Sequence, residues 1–290
     1  MSLSVNMADI PMKASFWEKK SDTYSVFCCL CPRQCIIGNG KKGFCNIREN
    51  RDGVLYSLVY GYPAALQVDP IEKKPLAEFM PGTKTFSIGT LGCNLNCLFC
   101  QNYHLSRGIP SENMDNQNRY FSPESIIELA IKHNCRSVAF TYNEPTVWAE
   151  YAIDIAKLAQ KNGLATVLVS NGYISKQAAD VFYPLIDAAN IDMKGFSEQF
   201  YLEMTGTYLQ PVLDSIKYLY SLNKHIELTN LVIPNKNDSE EMIGLFLDWV
   251  EDNLDKDIPL HFSAYHPMYK YKKSPRTSPV ILYNIRNIAN

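Results

Sequence analysis

The chain has 290 residues, 46% of them hydrophobic and 20% charged, enough apolar content for a large core and too much for a disordered chain. Lys plus Arg number 28 against 30 for Asp plus Glu, a formal charge of −2, which excludes a globally basic surface built for nucleic acid or anionic membrane. No run approaches the roughly 18 uninterrupted apolar residues of a spanning helix, and the opening MSLSVNMADIPMKASF lacks the apolar block of a signal peptide. The expected setting is the cytoplasm, with neither nucleic acid nor membrane as partner.

Eight of the nine cysteines lie in the first 100 residues, in two groups. In a reducing compartment that clustering points to metal or redox chemistry more than to disulfides. The first group, Cys28, Cys31, Cys35 and Cys45, reads C-x2-C-x3-C-x9-C and suffices for one closed four-thiolate site, holding zinc or a second iron–sulfur cluster. Cys29 is the spare, and Gly38, Gly40 and Gly43 let the chain return Cys45 to the metal. Residues 54–86 then read as irregular strand and loop. Residues 1–84 are expected to form a Cys-rich metal-binding appendage and linker.

From residue 85 short apolar strands alternate with amphipathic helices, the pattern of parallel βα units. The strands are 86–89, 137–141, 165–170, 188–194, 225–233 and 259–265. One helix enters through Ser122 with Pro123 at its first position, and another stops at Gly163. A third, DSEEMIGLFLDWVEDNL, opens with Asp238 as cap and Glu241 three residues on. The fold class is therefore α/β. Six such units are too few to close an eight-stranded barrel but suffice for an open, partial (βα)6 one over residues 85–290. The chain ends at NIAN in mid-helix pattern, which suggests truncation at the C-terminus.

Directly after the first barrel strand, GCNLNCLFCQN places Cys93, Cys97 and Cys100 in a C-x3-C-x2-C loop. Three thiolates leave a four-iron cluster one ligand short, and the open iron is a reason to expect catalysis. On spacing alone, a structural zinc site completed by His104 is the alternative.

With an aromatic, Phe99, before its last cysteine, this loop resembles the signature of radical S-adenosylmethionine (SAM) enzymes. LGCNLNCLFCQN is similar to the loop of the pyruvate formate-lyase-activating group. CCLCPRQC, GFCNIREN, DPIEKKPL, GCNLNCLFCQN, TYNEP, NIDMK and PLHFSAYHP, taken together and in order, resemble the AmmeMemoRadiSam-system radical enzymes. The resemblance implies a partial barrel, a [4Fe-4S] cluster on Cys93, Cys97 and Cys100, and SAM chelating the open iron to be cleaved to a 5′-deoxyadenosyl radical.

The same resemblance assigns the cofactor-binding residues at strand C-termini. Asn143 and Glu144 of TYNEP stand where the family usually carries Gly-Glu-Pro for the cofactor's amino group, although Asn143 could instead cap a helix. Ser170 and Asn171 can reach a ribose or carboxylate. Asp192 and Lys194 share one strand face, with Lys194 expected on the cofactor carboxylate or ribose and a structural Asp–Lys pair as the alternative. Tyr265 and His266 fall at a Tyr-His that contacts the cofactor, and Phe99 packs near the adenine. His261 and Cys135 read as structural. Lys73, Lys74, Arg107 and the basic run 270–276 read singly as solvated surface and jointly as a landing site for an acidic electron donor, flavodoxin or ferredoxin. The expected activity is hydrogen abstraction from a substrate, with activation of a glycyl radical enzyme as the leading case and chemistry on a small molecule or another protein residue as the second. A non-catalytic zinc-binding interaction module is the rival from another class.

Overall fold

A computed structural model describes residues 11–20, 24–108 and 120–289. The N-terminal part is built from short antiparallel strands. These are β1 (Met12–Lys13), β2 (Trp17–Lys19), β3 (Val26–Cys28), β4 (Ile36–Ile37), β5 (Arg48–Arg51) and β6 (Val54–Ser57), in two three-stranded sheets ordered β1-β6-β5 and β2-β3-β4. A buried ion pair from Arg48 to Glu150 at 2.9 Å, with the Ser15 N–H also donating to Glu150, fastens this part to the main body.

The main body is one seven-stranded sheet. Its strands are β7 (Ala65–Pro70), β8 (Lys84–Gly89), β9 (Ser137–Phe140), β10 (Ala165–Ser170), β11 (Ala188–Met193), β12 (His225–Val232) and β13 (Leu260–Ala264), ordered consecutively from β13 to β7. β8 to β13 pair parallel throughout and are the six strands read from the sequence. β7 adds an antiparallel edge to β8, so the sheet begins some twenty residues before the boundary expected at residue 85. The helices are α1 (Tyr103–Ser106), α2 (Pro123–Lys132), α3 (Ala149–Lys161), α4 (Lys176–Phe182), α5 (Glu198–Phe200), α6 (Gln210–Ser221), α7 (Glu240–Asn253) and α8 (Pro279–Ala289). The strand order, open and unreversed, is that of a partial (βα)6 barrel.

Local chemistry sets the helix ends. The Ser122 hydroxyl accepts from the Ser125 N–H with Pro123 at the first helical position, and Gly163 takes φ +69° just past α3. The cap of α7 differs from expectation. Ser239 accepts from the Met242 N–H, while Asp238 turns back to accept from the Asn235 N–H. The shorter serine therefore starts the helix and the aspartate closes the turn before it.

The segment after β7 fills the lower lumen. Ile71 and Leu76 pack with Ala139, Val167 and Ala188 from three strands. Fully buried Glu227 accepts from the Ala77 and Glu78 N–H groups at 2.8 and 2.9 Å and is hydrogen-bonded to His225 and His261. The Asn190 amide donates to Pro75 O. This plug closes the strand N-terminal end and leaves a cavity at the C-terminal end.

Candidate active site

The cavity has a volume of about 540 Å³ and is lined from every parallel strand's C-terminal end or the loop that follows it. Alternation brings Val169, Asp192, Thr229, Leu231 and Ser263 to its wall. Cys93, Cys97 and Cys100 line it from the loop after β8, each partly buried.

That loop is pinned on several sides. Asn143 donates to Leu91 O and Gly92 O, both at 2.9 Å, and accepts from the Thr90 N–H at 2.9 Å. Asn171 donates to Asn94 Oδ1, and Asn94 donates to Tyr173 O. After α5 the chain makes a π-turn, Tyr201–Thr205, whose Met204 and Thr205 carbonyls accept from Leu98 and Asn96 N–H at 2.9 and 2.8 Å. These are carbonyls of the segment's last turn, which have no partner within it. Leu98 O in turn accepts from the Lys270 and Tyr271 N–H groups after β13. Among these bonds, those to Asn96 and Leu98 flank Cys97 on both sides.

Burial pushes the Cys93 thiol well up and the Cys97 thiol up to about 12, the Glu144 carboxylate adding to the first. Glu144 is itself buried, which raises its carboxyl, partly offset by donors from the Asn171 N–H, the Thr146 N–H and the Ser170 hydroxyl. Lys194 pairs with Asp192. Burial works to lower the Lys194 ammonium, but Asp192 and the nearby Cys97 prevail and raise it. Asp192 Oδ1 and Thr229 Oγ1 are buried without a hydrogen-bond partner, although both residues line the cavity.

Phe99, Asn143, Glu144, Ser170, Asn171, Asp192 and Lys194 thus line one cavity with the three cysteines. Asn143 does not start the helix. Glu144 caps the following 3-10 turn, and Asn143 ties down the cysteine loop. His266 does not reach the cavity. Tyr265 is locked inward by its hydroxyl on Tyr271 O and its N–H on Thr277 Oγ1, which sends the next side chain to the surface. His104 is exposed and lies off the cavity wall. Lys74, read as solvated surface, is buried and paired with Asp69 at 2.7 Å on the cavity wall, with Lys73 beside it. Tyr142 also lines the cavity, held at φ +70° with its hydroxyl donating to Asp69 at 2.6 Å. A bulky residue in that region is a strained one. Only its place beside Asn143 in TYNEP could have signalled it.

Residues 87–247 match the Radical SAM superfamily. The chain belongs to the radical SAM superfamily. Membership implies an enzyme with a [4Fe-4S] cluster and SAM, and the residues fit that pair. Three thiols supply soft ligands, and Asp192 and Thr229, which line the cavity, each carry a buried oxygen without a hydrogen-bond partner. An uncharacterized protein of Methanocaldococcus jannaschii is 42% identical over 277 residues, 96% of this chain and 81% of that one. Pyruvate formate-lyase 1-activating enzyme of Escherichia coli is 22% identical over 195 residues, 62% of this chain and 74% of that enzyme. The crystal structure of a radical SAM methyltransferase from Sphaerobacter thermophilus shares the fold at TM-score 0.52 and 10% identity, covering 73% of this chain and 64% of that one. Among the described residues no helix is long and apolar enough to cross a membrane.

Proposed function

We propose that the cavity is where this radical SAM enzyme abstracts hydrogen from a substrate, and that the substrate is a protein, as in the activation of a glycyl radical enzyme. The observation that carries the reading is the convergence of three loop thiols with unpartnered polar groups on one cavity at the strand C-termini. Cys93, Cys97 and Cys100 hold the cluster and leave one iron free for the cofactor. Bound there, cluster and SAM supply a one-electron cleavage of the S–C5′ bond that yields methionine and a hydrogen-abstracting 5′-deoxyadenosyl radical.

The chain's own groups orient and screen that chemistry. Lys194 offers its cation to the cofactor carboxylate, with Asp192 keeping it charged. Asp192 Oδ1 accepts from a sugar hydroxyl, and Ser170, Asn171 and Glu144 receive the amino acid end. Phe99 gives the nucleoside an apolar wall, and the plug of residues 71–79 keeps water out of the lumen below. Similarity to the E. coli activating enzyme supports a protein substrate. The order of motifs that resembles the AmmeMemoRadiSam group is consistent with the same chemistry in a cytoplasmic setting.

The electron arrives from flavodoxin or ferredoxin at the basic run 270–276, whose first two N–H groups bond the cysteine loop at Leu98. Such docking is salt-dependent. Reduction by a flavodoxin should slow as salt rises while reduction by dithionite should not; equal salt response would remove the docking assignment. Incubation with a candidate glycyl radical protein, read by electron paramagnetic resonance for a glycyl signal, tests the substrate class. SAM cleavage with no such signal on any candidate would favour the small-molecule reading.

A further inference from the structure

We propose that Cys28, Cys31, Cys35 and Cys45 form a second metal centre, ligated entirely by protein thiolates, that braces the Cys93–Cys100 loop from behind. All four line one pocket in the N-terminal part, and Asn94 of the catalytic loop lines it too. Cys29, their immediate neighbour, does not line it, and its N–H is spent on Phe16 O. Spacing and structure therefore single out the same four.

The free volume of the pocket is about 20 Å³, room for one water-sized sphere. Among the described residues no three such side chains already meet where an ion would sit, so metal binding here requires the four thiols to move together. A four-iron cluster would also need the loop carrying Cys45 to open, and Gly40 in that loop, at φ +67°, has nothing within 4 Å of its Cβ position. The chemistry common to both occupants is a thiophilic metal in a closed tetrathiolate site.

The coupling to the catalytic loop is short. Arg33, between Cys31 and Cys35, donates to Asn94 O and to Gly206 O. A Cβ on Gly92 would stand 2.6 Å from Cys45 O, so the two cysteine-bearing loops are in contact. Cys93 and Leu95 line the large cavity while Asn94 lines the small pocket, which makes residues 93–95 a shared wall. Fixing the four thiolates fixes Arg33 and the Cys45 carbonyl against that wall. The bracing role rests on the catalytic reading of the loop; the centre itself does not.

The test uses the full chain with Cys93, Cys97 and Cys100 all replaced by Ala, purified without oxygen with iron and zinc supplied, and metal and sulfide counted. About one zinc or iron without sulfide, or about four irons with four sulfides, supports the proposal and tells the two occupants apart. A variant that is folded by circular dichroism and keeps no metal overturns it. Should that variant not fold, thiol alkylation of the wild type decides. Cys28, Cys31, Cys35 and Cys45 should label at least about tenfold faster after a chelator, with Cys29 unchanged; equal labelling before and after overturns the proposal. Metal retained by the triple variant when the wild type makes no 5′-deoxyadenosine would sink the functional reading and leave the second centre standing.

Discussion

The two cysteine sets lie on opposite sides of residues 93–95 and differ in what they face. Cys93, Cys97 and Cys100 open onto a cavity of about 540 Å³, whereas Cys28, Cys31, Cys35 and Cys45 enclose about 20 Å³. Three ligands with space beside them suit a metal that must accept a substrate, and four ligands without it suit a metal that must not. The supports differ in the same sense. The three-cysteine loop is held by Asn143, Asn171, the π-turn and the segment after β13, all from strand C-termini. The four-cysteine pocket is framed by short antiparallel strands, and the main body reaches it through Arg33 on Asn94 O and Gly206 O and the Ser175 N–H on Leu30 O.

The comparison breaks most sharply at the ligands. Cys97→Ala should abolish 5′-deoxyadenosine formation with the fold retained by circular dichroism; retained cleavage would remove the loop from the chemistry. Next in size is the pinning of the loop. Asn143→Ala leaves the Leu91 and Gly92 carbonyls and the Thr90 N–H without their partner, so a cost of about 2–4 kcal/mol is expected. A urea midpoint unchanged by that substitution would show the loop to be held elsewhere.

Lys194→Ala should weaken SAM binding by about tenfold, or about 1.4 kcal/mol, with iron content unchanged. Unaltered affinity by calorimetry would return Lys194 to a structural pair with Asp192. The smallest effect lies at the floor. Hydrogen bonds from His225 and His261 and the backbone overcome burial and hold the Glu227 carboxyl well below the usual range. Its folded value lies under its unfolded one, so its contribution is present above about pH 4.5 and is lost as pH falls further. Glu227→Gln should cost about 1–3 kcal/mol at neutral pH and flatten the acid side of the stability profile. An acid profile as steep as the wild type's would place that dependence elsewhere.

Much of this was legible in the chain. The six parallel strands were, because each is a short apolar run closed by turn residues, and so were the cavity residues that follow them. Period-two alternation puts Asp192 and Lys194 on one face, where they pair. What was hidden depends on partners distant in sequence. β7 joins the sheet only by pairing with β8, and Lys74 is buried because the plug enters the lumen, where Tyr142 meets both Lys74 and its partner Asp69. Asn143 reads as a cap in isolation because its acceptors, Leu91 O and Gly92 O, lie some fifty residues earlier. The resemblance alone places His266 at the site; Ser263 lines the cavity, so alternation turns His266 away from it, and the inward locking of Tyr265 by Thr277 and Tyr271 fixes that direction.

The most direct measurement is anaerobic reconstitution with iron and sulfide, followed by metal quantitation and an assay for 5′-deoxyadenosine after adding dithionite and SAM, with Cys97→Ala in parallel. The account predicts nucleoside from the wild type and none from the variant, with about four fewer irons in the variant. Wild-type protein that carries only zinc and forms no nucleoside would contradict it.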